Sequence, residues 1–252
     1  MGFVIEYHCM SDTGRIRTKN QDNFLCRGQF MEADNRGCGG ISGTVAAGAD
    51  AFAVFDGLGG EEAGEVAASI AAKLLSQVTF SADAEASLRG FCADANAAIC
   101  AYTAEHLLTS MGTTAAILRF GKKSVTLCNI GDSRIHRLRG GELTQLSVDH
   151  VSLARAGMKP PLSQNLGIPE TELRINPHFA SLDYRDGDVY LISSDGLTDM
   201  VKPEEMADIL KNSPHDASVR ALVDAALTAG GRDNVTVIVI YIRKKKLFER
   251  IK

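Results

Sequence analysis

The hydrophobic period changes several times along the chain, and each change marks an element. "FVIEYHC" near the N-terminus leans towards β structure, and "SDTGRIRTKNQDNF" behind it is a polar segment that turns at Asp12-Thr13-Gly14. Residues 28–50, "GQFMEADNRGCGGISGTVAAGAD", are rich in glycine and small side chains and read as a loop or hairpin excursion. "AFAVF" is apolar throughout, the pattern of a buried strand. From Glu61 the period becomes helical, with Ala63, Val66, Ala67, Ile70, Ala71 and Leu74 on one face. A second helix follows, its stripe formed by Leu88, Phe91, Cys92, Ala95, Ile99 and Tyr102.

Strand patterns then return. "TTAAILRF" and "SVTLCNI" are joined by a turn at Gly121-Lys122-Lys123, and "SRIHRLR-GG-ELTQLS" is a hairpin around Gly140-Gly141. Residues 149–187 are mixed, because Pro160-Pro161 and Pro169 break any long element. "DVYLISS" is a buried strand. Pro203-Glu204-Glu205 opens a helix with proline and acids in its first turn. A further helix over about 216–229 precedes the final strand, "NVTVIVIYI". Strands in consecutive hairpins and helices in two blocks argue for an α+β fold with antiparallel sheets rather than alternating βαβ units. With no repeat and no linker-like segment, one domain is expected over 1–243, followed by a short basic tail, 244–252.

Composition narrows the function classes. The 252 residues are ample for one large core, and 45% hydrophobic with 23% charged residues is ordinary for a soluble globular protein. A net charge of −4 removes any general electrostatic case for nucleic acid or an anionic membrane. No run approaches the roughly 18 apolar residues of a membrane span. "MGFVIEYHCMSD" has no basic region, apolar core or cleavage site of a signal peptide, and Glu6 stands where a myristoylation motif requires Ser or Thr. A cytoplasmic monomer is the expectation. The six cysteines are scattered, with no CxxC pair, which suits free and mostly buried thiols.

The densest chemistry lies in "AFAVFDGLGGEEAGEVAA". Its glycines suggest a phosphate cradle, but Glu62 stands where the last glycine of a dinucleotide fingerprint belongs, and no Lys-Ser/Thr pair follows as in a P-loop. Glu61 and Glu62 would repel a phosphate and suit a helix N-terminus instead. Asp56 ends a buried strand. Asp132 ends "TLCNIGD", Asp195 ends "DVYLISSD", and Asp233 directly precedes "NVTVIVIYI". One Asp-Gly at a strand end is usually turn chemistry. Four acids at the edges of buried strands, once gathered, would not all stay ionised without a cation. Hard ions such as Mg²⁺ or Mn²⁺ prefer such oxygen donors, and Gly57 could lend its carbonyl. Arg17 and Arg134 are candidate clamps for an oxyanion. His150 is most simply a structural hydrogen-bonding residue.

Six stretches now appear in a telling order: "SDTGRIRTKNQDNF", "FAVFDGLGGEEAGEVAA", "MGTTAAIL", "NIGDSRIHRLRGGELTQLSVDH", "DVYLISSDGLTDMV" and "GGRDNVTVIVI". Together they resemble the metal-dependent serine/threonine protein phosphatases of type 2C, bacterial branch, from about residue 8 to residue 242. The resemblance implies a β-sandwich of two antiparallel sheets flanked by helix pairs. It implies Mn²⁺ or Mg²⁺, two or three ions. Asp56 would bridge two metals, the Gly57 carbonyl would bind the second, and Asp195 and Asp233 would hold the first. Asp132 and Asp199 would help to hold a third, and Arg17 would grip the substrate phosphate. The implied reaction is hydrolysis of phosphoserine and phosphothreonine by a metal-activated water, with no phospho-enzyme. The implied partners are phosphorylated proteins, including a Ser/Thr kinase and its substrates.

The chain departs from the family at several positions. Gln21 stands where many members carry a second-metal glutamate, which removes one negative charge; Asp22 is a candidate to compensate. Leu58 replaces a histidine of eukaryotic members and the methionine usual in bacterial ones. Glu61 replaces a histidine common in bacterial relatives. The segment between His150 and Asp186 is shorter than the usual flap, and residues 28–50 are longer than the usual connection.

Overall fold

The computed structural model describes residues 2–31, 39–48, 50–58, 63–153 and 159–246. Gly59 and Gly60, the glutamates at 61 and 62, and the tail beyond residue 246 lie outside the described residues. The elements run β1 (Phe3–Asp12), β2 (Asp22–Cys26), β3 (Gly39–Ala46), β4 (Ala51–Asp56), α1 (Gly64–Gln77), α2 (Ala84–Glu105), β5 (Ala115–Phe120) and β6 (Ser124–Ile130). They continue with β7 (Arg134–Arg139), β8 (Glu142–Gln145), β9 (His178–Asp183), β10 (Val189–Ser193), α3 (Asp195–Thr198), α4 (Pro203–Asn212), α5 (His215–Thr228) and β11 (Val235–Lys244).

Two sheets result, in the orders β3-β1-β11-β10-β7-β8 and β2-β4-β5-β6-β9. Neighbouring strands in both sheets are antiparallel, as the hairpin pattern requires. The unbroken apolar run of β11 follows from its surroundings. Ile238, Ile240 and Ile242 point into the space between the sheets, where they join Phe24, Phe52, Val54 and Leu118 of the facing sheet. Val235, Val237, Val239 and Tyr241 point the other way, among Leu222 and Val223 of α5 and Met206 of α4. β4 is used in the same way: Phe52 and Val54 face the sandwich, while Ala53 and Phe55 face α1 and α2. Strands covered on both faces lose the alternation of a half-exposed sheet, which is why these runs read as apolar throughout.

Three expectations change. The buried stripe of α1 is Ala67, Ala68, Ala71, Ala72 and Leu75. Val66, Ile70 and Leu74 pack at its margin and are only partly buried. The alanines take the inner face because they let the helix come close to the sheet. Within residues 28–50, Gly39–Ala46 is a strand, paired with β1 from Val4↔Ala46 to Ser11↔Gly39. Its glycines hid it, although one of them is required there: a Cβ on Gly43 would come within 2.6 Å of the Tyr7 hydroxyl. Edge strand β9 lies inside the mixed stretch 149–187 and pairs with β6.

Candidate metal and phosphate site

The acids gather at one end of the sandwich because the strand ends that carry them meet there. Asp22 opens β2 directly opposite Asp56, the last residue of β4. Asp195 begins α3 just after β10, Asp199 caps that short helix, and Asp233 lies two residues before β11. Asp132 follows β6. A cavity of about 240 Å³ is lined by Arg17, Asp56, Gly57, Asp132, Asp195 and Asp233, together with Leu58, Thr114, Lys159, Pro160 and Leu162. Asp199 reaches the same cluster through Lys159, 2.9 Å from its carboxylate.

The turn after Asp56 is held tightly. A Cβ on Gly57 would lie 2.4 Å from the Gly64 carbonyl and 2.5 Å from that of Gln21, so only glycine fits. The Asp56 amide donates to Thr114 Oγ1, and the Asp56 carbonyl accepts from the Thr114 amide at 2.9 Å and the Thr113 hydroxyl at 3.0 Å. Among the described residues no backbone amide donates to the Gly57 carbonyl.

A buried polar layer lies beneath the acids. Ser194 Oγ donates to Asp22 at 2.7 Å and accepts from the Thr236 amide, while Ser11 and Thr236 share a hydroxyl bond of 2.7 Å. Asn20 donates to Ser11 and accepts from the Asp22 amide. Asn234 is the knot: it donates to the carbonyls of Thr13 and Lys19 and accepts from the Gln21 amide. These bonds tie the loop bearing Arg17 to the strand end bearing Asp233. Gly14 lies at the same junction with φ +80°, where a Cβ would fall 2.2 Å from the Asp233 carbonyl.

Burial and mutual repulsion shift the carboxyls. Burial, reinforced by Asp195, Asp22, Asp132 and Asp233, pushes Asp56 well above the usual carboxylate range. Asp22 rises to about 7, mainly by burial, against the hydrogen bonds of Thr236 and Ser194. Asp132 rises to about 6 through burial and the charge of Asp195, with Lys159 opposing. Burial also raises Asp195, again against Lys159. Such a set can relieve itself by taking up protons or by binding a cation. Its donors are carboxylates and a carbonyl, the set that Mn²⁺ or Mg²⁺ prefers. Among the described residues no three acids already form a closed ligand set. Lys159 stands between them instead, paired with Asp195 and Asp199 and 3.8 Å from Asp132.

The other candidates divide. Arg17 sits at the cavity lip with Nη2 2.7 Å from Asp233. Arg134 does not line the cavity; its guanidinium is engaged by Asp149 through bonds of 2.7–3.2 Å. His150 Nδ1 accepts from the Gly131 amide at 3.3 Å, a structural bond as expected. The Gln21 side chain donates to Glu65 at 3.3 Å, and Glu65 also binds Lys19 at 2.9 Å. Sequence reasoning missed Lys159, Glu65 and Asn234. Asn234 could have been suspected as a short polar residue at a strand start. Lys159 left no signal beyond its place before two prolines.

Comparison with known proteins agrees with this geometry. The Protein phosphatase 2C family profile matches residues 40–232. The serine/threonine protein phosphatase PstP of Mycobacterium tuberculosis is 33% identical over 251 residues, covering 94% of this chain. The chain spans 45% of that relative's length. The serine/threonine phosphatase stp of Listeria welshimeri is 33% identical over 254 residues, covering 91% of this chain and 93% of its own. The PstP catalytic domain, solved with two manganese ions, superposes with a TM-score of 0.79 at 29% identity, covering 96% of this chain and all of that one. A sandwich of this topology, with carboxylates meeting at one end and a family profile spanning most of the sequence, places the chain in the protein phosphatase 2C family.

Proposed function

We propose that this protein is a Mn²⁺- or Mg²⁺-dependent phosphatase acting on phosphoserine and phosphothreonine in proteins, and that it opposes a serine/threonine kinase. The observation that carries the reading is the convergence of Asp56, Asp132, Asp195 and Asp233 on one cavity with Arg17 at its lip. Asp56, Gly57, Asp195 and Asp233 would hold two ions, and Asp132 with Asp199 would contribute to a third. Bound there, the metal supplies a water that ionises near neutral pH and positive charge beside the phosphoryl oxygens. Arg17 offers two parallel N–H donors to those oxygens once it exchanges its hydrogen bond with Asp233 for the phosphate. Asp233 fixes the guanidinium at the lip beforehand, so little ordering remains when substrate arrives. Leu58 lines the cavity but cannot donate a proton, so the leaving oxygen must be protonated by another group.

The test compares turnover of p-nitrophenyl phosphate and of a phosphothreonine peptide with Mn²⁺, with chelator, and in Asp195→Asn. We expect Mn²⁺-dependent turnover of both and a loss of at least about 10²-fold in the variant, the scale of removing a main stabiliser of transition-state charge. Equal, low activity in all three samples would sink the enzyme reading. Turnover of the small ester alone would indicate a small-phosphoester hydrolase.

A further inference from the structure

A groove leads away from the acidic cavity, walled by α2 on one side and by residues 165–177 on the other. Its near part, about 360 Å³, is lined by Leu58, Cys100, Thr103, Ala104, Met111 and Ile168 among others. Its far part, about 490 Å³, shares Cys100 and Pro169 with the near part and continues to Arg174 and Ile175. Leu58 also lines the acidic cavity, so the near part of the groove and that cavity adjoin the same side chain.

The walls are built rather than accidental. Asn96, buried in α2, accepts from the amides of Gly167 at 2.7 Å and Ile168 at 3.1 Å and donates to the Ile168 carbonyl at 2.9 Å. Thr113 and Leu166 exchange two backbone bonds, and the Leu58 amide donates to Gly112. The groove is thereby fixed to the turn that follows Asp56. Leu107, just beyond α2, is 92% exposed and Leu173, within 165–177, is 39% exposed, although neither lines the groove itself.

Charge and position decide the occupant. The near part is lined by one carboxylate, Glu172, and by no cation, so it suits an apolar side chain and disfavours an acidic one. The far part carries both Arg174 and Glu170, while its Arg89 is paired with Glu85 at 2.6 Å. A polypeptide whose phosphorylated residue enters the acidic cavity advances about 3.3–3.6 Å per residue when extended. On the Leu58 side, its neighbouring residues come within reach of the groove. We propose that the groove docks the substrate polypeptide and takes an apolar side chain close to the phosphorylated serine or threonine. This rests on the phosphoprotein reading above.

The experiment uses the Mn²⁺-loaded protein and a set of phosphothreonine peptides in which one leucine is moved through an otherwise Gly/Ser-rich sequence. We expect one or two leucine positions to raise kcat/KM by about tenfold or more, chiefly through KM, the usual effect of filling an apolar pocket. Ala104→Arg, on the exposed rim, should remove that preference and lower the ratio of peptide to p-nitrophenyl phosphate kcat/KM by the same factor. Cleavage of all peptides without positional preference, or a preference that survives Ala104→Arg, overturns the groove assignment and leaves the phosphatase reading intact. Turnover of p-nitrophenyl phosphate with no cleavage of any peptide overturns both. Self-association that Ala104→Arg abolishes, with no change in peptide preference, would assign the groove to a second copy of this chain.

Discussion

Lys159 occupies the ground that a divalent ion would need. Burial opposes its charge, but the carboxylates of Asp195 and Asp199 outweigh burial and hold its ammonium above the ordinary lysine range. The lysine therefore neutralises part of the acid cluster, and a metal bound as proposed would have to displace it. Removing it strips the metal-free protein of that compensation and removes the competitor. Lys159→Gln should tighten Mn²⁺ binding by about tenfold, since 1.4 kcal/mol of lost competition is worth that factor. Isothermal titration of wild type and variant checks it directly. An unchanged dissociation constant would mean that the ammonium leaves the cluster at no cost.

At the scale of elements, the loop between β1 and β2 depends on one side chain of another segment. Asn234 satisfies two loop carbonyls and one amide, and it is only 4% exposed. Asn234→Ala would leave Thr13, Lys19 and Gln21 with unpaired groups in a protected place, each costing about 1–3 kcal/mol unless water enters. A stability loss of about 2–3 kcal/mol is expected, read as a lower urea midpoint at unchanged slope. Arg17 should loosen with its loop and raise KM for phosphoester. Little of this was legible beforehand. Apolar runs revealed β4, β10 and β11, because strands covered on both faces carry their burial in their own residues. The edge strands β3 and β9 were hidden, because glycine in one and mixed polarity in the other erase the period. The acids were legible for the same reason as the strands: each stands where an apolar run stops. Asn234 showed only as a short polar residue at a strand start, and Lys159 and Glu65 act through tertiary contacts with residues far along the chain, which no local pattern encodes.

At the scale of the whole molecule, the acids come from both sheets, so closing the sandwich forces them together. Asp22 and Asp56 belong to the five-stranded sheet, while Asp195 and Asp233 adjoin the six-stranded one. Folding thus concentrates like charge, and its cost depends on pH. In the unfolded chain these carboxyls ionise near pH 4. Folded and metal-free, Asp132 ionises only near 6 and Asp22 near 7. Between those limits the folded state binds more protons than the unfolded state, so stability falls as pH rises. The stabilisation is complete below about pH 4 and gone above about pH 7 for these two groups. Groups whose pKa is lowered on folding act in the opposite sense: Glu65 beside Lys19 does so over the lower window near pH 4, and His136, which burial lowers to about 4, does so between about pH 4 and pH 6.5, where it offsets roughly half of the fall. In chelator, the melting temperature should therefore drop by roughly 5 °C between pH 5 and pH 7.5, since 1 kcal/mol is worth about 2–4 °C in a chain of this size. Saturating Mn²⁺ should reverse the drop at pH 7.5, contributing about 2.7 kcal/mol at a hundredfold excess over its dissociation constant. It should do much less at pH 5, where protons hold the same oxygens. Calorimetry at the two pH values with and without Mn²⁺ checks all four corners. A melting temperature in chelator that rises from pH 5 to pH 7.5 would mean that the acids ionise freely at the end of the sandwich, and that the metal is not needed to relieve them.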